Sequence, residues 1–233
     1  MAPVSGRKFL DQQLVEIKRR TQAGDRVAVS FDIDNTLFDT RGRAFAIGKD
    51  FDKANHTTYF TGKTAKGMGN DAKETAGLVG MSVADAKKFS AFWFRNFFKG
   101  ENYQNDLTIK QTVTLAKKAA AAGADVYYVT ARTQSEEAFT IKQLTRAGLT
   151  GVDDKFVVSK AKMKDKTPEY KAGELAKIAH NYDFVPWFIT ESRQDIRGVQ
   201  RLNAPVTSVL LETKFSGTGT VSDETPIWKV DVK

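Results

Sequence analysis

The chain has 233 residues, a length suited to one domain or to a core carrying an inserted lobe, and its 41% apolar and 27% charged residues exclude a disordered or fibrous protein. Zero cysteines exclude disulfides, a thiol nucleophile, Cys-ligated zinc and iron–sulfur clusters, and the two histidines, His56 and His180, are too few for an all-His metal site. Thirty-six Lys and Arg against 28 Asp and Glu leave a formal charge of +8, which favours anionic partners: nucleic acid, acidic membrane or small phosphorylated molecules.

In chain order, Leu10, Leu14 and Ile17 recur at helical spacing between Lys8 and Gln22, with Gly24 as the stop. VAVSF, ending at Phe31, is a short β-branched run that breaks into the polar loop DIDNT, as a buried strand would. Residues 41–103 then lose the strand rhythm; helical stretches and the loop TGKTAKGMGN point to an inserted lobe. That loop is not a P-loop, because Thr57 stands where the first glycine belongs and no strand precedes it. The aromatic run FSAFWFRNFF places Phe89, Trp93 and Phe97 on one helical face and Phe94 and Phe98 on another, which reads first as lobe core and second as a cover for a ligand. Ile109, Val113, Ala116 and Ala120 predict a helix stopped by Gly123, followed by the strand DVYYV and then TAR. Ser135 to Gly148 predicts a further helix, and FVVS at 156–159 a strand. After a lysine-rich loop, read as a solvated face, Thr167-Pro168 opens a helix through Leu175 and Ile178 as N-cap and first-turn residue. Strands follow at Phe184–Ile189 and Val206–Leu211, and the tail PIWKVDV reads as an added hairpin.

Strands alternating with helices predict an α/β fold with a parallel sheet covered on both faces, and such sheets bind ligands beyond their carboxyl ends. The exit loops deliver Asp32 and Asp34, Thr130, a lysine-rich loop, and Glu191 with Asp195. Four carboxylates in one cleft need a cation among them, and an all-oxygen donor set selects a hard ion such as Mg²⁺. A single Asp in a loop is more often a turn former or a cap, so the weight lies in the joint pattern.

That pattern resembles the haloacid dehalogenase-like (HAD) hydrolases: VAVSFDIDNTLF is similar to their first motif, VYYVTAR to the second, EYKAGELAK to the third and TESRQD to the fourth. DIDNT with VYYVTAR is most similar to the acid phosphatase branch. The resemblance implies a Rossmann-like core, residues 1–40 and 104–233, with a helical cap at 41–103. It implies Asp32 as nucleophile, Asp34 as general acid and base, Thr130 at the end of its strand and Lys171 at a helix start as phosphoryl-binding groups, and Mg²⁺ held by Asp32, the backbone carbonyl of Asp34, Glu191 and Asp195. An acid at position 34 separates phosphatases and phosphomutases from the dehalogenases of the superfamily. Thr190-Glu191 replaces the usual Gly-Asp, which leaves open whether Glu191 or Asp195 is the primary metal ligand. Lys160, Lys162, Lys164 and Lys166 compete with Lys171 for the third motif, and Arg132 either touches substrate or forms a surface salt bridge.

The expected activity is Mg²⁺-dependent hydrolysis of a small phosphomonoester through an aspartyl-phosphate. Alternatives are a phosphomutase or phosphotransferase on the same fold, or a non-catalytic module binding anions or nucleic acid; the retained acids and lysine disfavour nucleic acid. No apolar run reaches the roughly 18 to 20 residues of a membrane helix, and the start lacks the apolar segment of a signal peptide, so the expectation is a cytoplasmic protein with no membrane partner.

Overall fold

The computed structural model describes residues 5–149, 151–214, 216 and 220–230. In chain order the elements are α1 (Gly6–Gln22), β1 (Ala28–Phe31), β2 (Phe38–Asp39), α2 (Arg41–Asn55), α3 (Ala72–Val79), α4 (Val83–Phe97), β3 (Leu107–Thr108), α5 (Lys110–Ala121), β4 (Asp125–Thr133), α6 (Glu137–Arg146), β5 (Val157–Lys160), α7 (Thr167–Asn181), β6 (Phe188–Thr190), α8 (Arg193–Arg201), β7 (Ser208–Glu212) and β8 (Ile227–Lys229). Six strands form one sheet in the order β5-β4-β1-β6-β7-β8, every pairing parallel.

The four residues of β1 are all buried, as a strand must be when helices cover both faces of its sheet. Alternation sorts them: Val29 and Phe31 join the cluster with Leu10 and Ile17 of α1, Val113 and Ala116 of α5 and Leu144 of α6. Ala28 turns to the other face, with Phe188, Ala172, Leu175 and Ile178 of α7 and Val199 of α8. The result is a Rossmann-like three-layer core. Between β2 and β3, which pair antiparallel as a short ribbon, the chain builds α2, α3 and α4 around a separate cluster that includes Ile47, Phe51, Phe60, Phe89 and Trp93. Close approach of backbones closes this lobe at its neck: a Cβ on Gly42 would lie 1.9 Å from the Asn105 carbonyl oxygen.

Several expectations change. The tail is no hairpin: β8 adds to β7 in parallel and also meets α1, where Ser5 bridges Ile227, because the segment after β7 is long enough to bring the chain back in the same direction. Asp231 and Val232 of the expected hairpin lie outside the described residues. The strand expected at Phe184 starts at Phe188 instead, since Pro186 has no N–H for the ladder. DVYYV does not end at Thr130; β4 runs to Thr133 across a register irregularity that follows Val129, so Thr130 sits where the strand is locally re-aimed. Lys166, rather than Thr167, is the N-cap of α7, because the Thr167 hydroxyl accepts the Lys160 ammonium at 3.2 Å. Among the described residues, no helix is long and apolar enough to cross a membrane.

Candidate active site

In chain order the sheet grows from β1 through β4 to β5 on one side, then resumes on the other side of β1 with β6. A crevice opens at such a switch, beyond the strand ends. Asp32 is the first residue past β1, and its backbone N–H donates to the Ile189 carbonyl at 2.8 Å, tying it to the end of β6. Three donors fix its carboxylate: Lys171 Nζ at 2.7 Å and the Ile33 N–H at 2.8 Å on Oδ1, and the Thr190 hydroxyl at 3.1 Å on Oδ2. Lys171, in the second turn of α7, also donates to Asp195 Oδ2 at 2.6 Å, and Asp195 is held in the first turn of α8 by its N–H bond to Ser192 Oγ. All three side chains are buried.

Burial, helped by the charge of Asp195, holds the Asp32 carboxyl above its usual range in spite of Lys171. Burial by itself would lower Lys171, but the carboxylates of Asp195 and Asp32 outweigh it and hold the ammonium well above the usual lysine range. Glu191 is half-buried, and its Oε2 accepts the Thr36 hydroxyl at 3.1 Å while its N–H donates back to the same hydroxyl at 3.2 Å. Burial and then the charge of Asp32 push the Glu191 carboxyl well above its usual range.

Asp34 has different company. Arg43 Nη2 and Arg132 Nη2 both donate to its Oδ1, at 2.7 and 2.8 Å, and Arg132 Nε reaches Oδ2 at 3.2 Å. Burial would raise this carboxyl, yet the charges of Arg132 and Arg43 prevail and hold it well below the usual carboxylate range. The Arg132 guanidinium is fully buried, so its salt bridge is an interior one and not the surface pair considered from sequence. Thr130 is fully buried on β4, with its hydroxyl accepting the Arg132 N–H at 3.2 Å.

The structure therefore brings Asp32, Lys171 and Asp195 into contact, sets Glu191 within electrostatic reach, and holds Asp34 separately in an arginine clamp. Of the competing lysines, Lys162, Lys164 and Lys166 are exposed. Lys160 is not solvated as expected: it is buried, its Nζ closing the loop on the carbonyls of Met163 and Asp165. His56 and His180 are exposed. Phe89 and Trp93 belong to the lobe core, while Phe97 stacks on Trp93 and lies 4.5 Å beneath the Arg43 guanidinium. Sequence reasoning missed Arg43, Asp106, Thr36 and Thr190. Thr36 and Thr190 left a signal, the one as the threonine that closes DIDNT and the other as the departure from glycine in the fourth motif.

As it stands, no group of three or more acidic, His or Cys side chains among the described residues is set to hold a metal, because Lys171 occupies the space between Asp32 and Asp195. The donor chemistry nevertheless fits a divalent ion. Three carboxylates, Asp32, Glu191 and Asp195, face one ammonium, which leaves two negative charges that a buried site must neutralise by protonation or by a cation.

A sequence model of HAD superfamily subfamily IIIB, acid phosphatase, matches residues 7–204. A comparison with curated proteins returns no match. Among solved structures, a phosphatase candidate from Clostridium difficile superposes with a TM-score of 0.58 at 13% identity, covering 89% of this chain and 95% of its own. A predicted phosphatase from Clostridium acetobutylicum gives 0.53 at 15% identity, with 88% and 94% covered. A haloacid dehalogenase-like hydrolase from Streptococcus pneumoniae gives 0.53 at 12% identity, with 80% and 85% covered. At these identities the likeness is one of fold.

Proposed function

Because the chain belongs to the acid phosphatases of HAD subfamily IIIB, we propose that it hydrolyses small phosphomonoesters with Asp32 as nucleophile and Asp34 as general acid and base. It is a phosphoric monoester hydrolase of that family. The observation that carries the residue assignment is the Asp32 carboxylate, oriented by three donors at the end of the central strand before any substrate arrives.

In this reading an Asp32 oxygen attacks phosphorus, the ester oxygen leaves with a proton from Asp34, and an aspartyl-phosphate forms. Asp34, again a carboxylate, then takes a proton from the water that attacks phosphorus, and free phosphate departs. The arginine pair favours the carboxylate form of Asp34, which serves the second step and opposes the first. Lys171 uses two of its three N–H donors on Asp32 and Asp195, leaving one for a phosphoryl oxygen, and Thr130 supplies a hydroxyl at the neighbouring strand. Asp32, Glu191, Asp195 and the Asp34 carbonyl would hold Mg²⁺, which when bound supplies charge neutralisation at the phosphoryl oxygens. Residues 41–103 serve as a cap on the core formed by 1–40 and 104–233, and the lobe restricts the substrate to a small molecule. The contact of Arg43, on the first helix of that lobe, with Asp34 supports this division.

The test is release of phosphate from p-nitrophenyl phosphate. Purified protein with Mg²⁺ should turn over, EDTA should suppress turnover reversibly, and Asp32→Asn should abolish it. Undiminished activity in Asp32→Asn would overturn the nucleophile.

A further inference from the structure

We infer that Asp106, remote in sequence from every motif, is a positioning residue for proton transfer: through Arg43 and Gln143 it fixes the two-armed clamp that aims the Asp34 carboxyl. The inference rests on the reading of Asp34 as general acid.

The side chain of Asp106 is fully buried just before β3, where the chain returns from the lobe. Its Oδ1 accepts Arg43 Nε at 3.0 Å and its Oδ2 accepts Arg43 Nη2, a planar two-point contact that sets the rotation of the guanidinium. In that orientation the same Nη2 also donates to Asp34, and Nη1 donates to the Phe97 carbonyl at 3.1 Å, so every edge of Arg43 is committed. The second arm is tied to the same carboxylate. Gln143 Nε2 donates to Asp106 Oδ2 at 2.9 Å, while Gln143 Oε1 accepts Arg132 Nη1 at 2.8 Å. With that edge held, Arg132 presents Nε and Nη2 together to Asp34. The ring of Tyr103 lies against both guanidiniums, at 4.4 Å from Arg43 and 3.8 Å from Arg132.

The charges also match. Two arginines and two aspartates form a neutral set from which only Asp34 reaches solvent, at 21% side-chain exposure. Arg43 belongs to α2, Asp106 to the return crossing, Arg132 to β4 and Gln143 to α6, so the aim of the proton donor depends on how the lobe sits on the core. Loss of the Asp106 charge would leave both cations to converge on Asp34 and pull it from the leaving group.

A merely structural ion pair and a positioning residue differ in one readout, the dependence of kcat/KM on leaving-group basicity. A good leaving group needs no proton; a poor one does. Steady-state kinetics on phosphomonoesters from 2,4-dinitrophenyl to alkyl phosphates should show Asp34→Asn steepening that dependence. Asp106→Asn should steepen it too, with a loss of about 10²-fold on alkyl phosphates and little loss on the dinitrophenyl ester. Gln143→Met, which keeps Asp106 and Arg43 but removes the bridge between Asp106 and Arg132 together with the bond to the Tyr103 carbonyl, should show the same trend and serves where Asp106→Asn fails to fold. An equal loss on every ester in the folded variant, while Asp34→Asn is selective, would overturn the positioning role alone. A flat response in Asp34→Asn would overturn the general-acid reading beneath it, and the inference with it.

Discussion

At the scale of single residues, the site is organised by which carboxylate receives which cation. Asp32 and Asp195 share Lys171, while Asp34 and Asp106 share two arginines, and the difference in partner matches the difference in proposed task. A lysine ammonium is a compact charge with a donor to spare, whereas arginine forks fix direction. Removing the lysine should therefore cost both activity and stability. Lys171→Met leaves buried carboxylates without their cation, and urea denaturation should register a loss of about 3–5 kcal/mol, with turnover down about 10²- to 10³-fold. Mg²⁺ should restore part of the lost stability in this variant, since it supplies the missing positive charge; an unchanged urea midpoint in the metal-free variant would argue against the buried triad. Asp32, Asp34, Lys171, Glu191 and Asp195 were legible in the sequence because each lies in or just beyond a strand exit or a helix start. Arg43 and Asp106 were not: 63 positions separate them, and nothing local marks a buried arginine.

At the scale of elements, the neck between lobe and core is where a small change should have a large effect. α2 begins directly after β2, and its first turn lies against the backbone just before β3, so closely that a Cβ at Gly42 has nowhere to go. Gly42→Ala should destabilise by about 1–3 kcal/mol, the usual cost of overpacking, because the opposing atom is backbone and cannot swing aside. It should also lower turnover by moving Arg43. Gly77→Ala in α3 is the control: apart from the helix's own adjacent backbone nothing lies within 4 Å of the added methyl, and alanine's higher helix propensity should stabilise by about 0.5–1 kcal/mol. Comparable urea midpoints for the two variants would contradict the packing at the neck. Element types were legible because burial imposes a period of two on strands and near 3.6 on helices. Their ends were less so, since the shift of β6, the run of β4 past Thr130 and the cap of α7 depend on a missing ladder donor, a partner strand and a lysine at the end of β5.

At the scale of the whole molecule, the last strand closes the fold. β8 covers the open edge of β7, and Trp228 enters the same cluster as Leu10, Val209 and Leu211, so that the two ends of the described chain meet. Trp228→Ala should cost about 3–5 kcal/mol as a large buried aromatic, read from the urea midpoint, while leaving KM for p-nitrophenyl phosphate unchanged because β7 stands between β8 and the site at the ends of β1 and β6. A wild-type midpoint would mean that β8 adds nothing to the core. The chain by itself determined the family, the α/β class and which carboxylates follow which strand, because each of these is written in short runs of neighbouring residues. Only the tertiary structure decided that Lys171 bridges Asp32 and Asp195 while Lys160 closes its own loop, that the tail becomes a parallel edge strand, and that Asp34 sits in a clamp built from the lobe and the core. Those are contacts between segments far apart in the chain, and burial with charge pairing selects them only after the segments have packed.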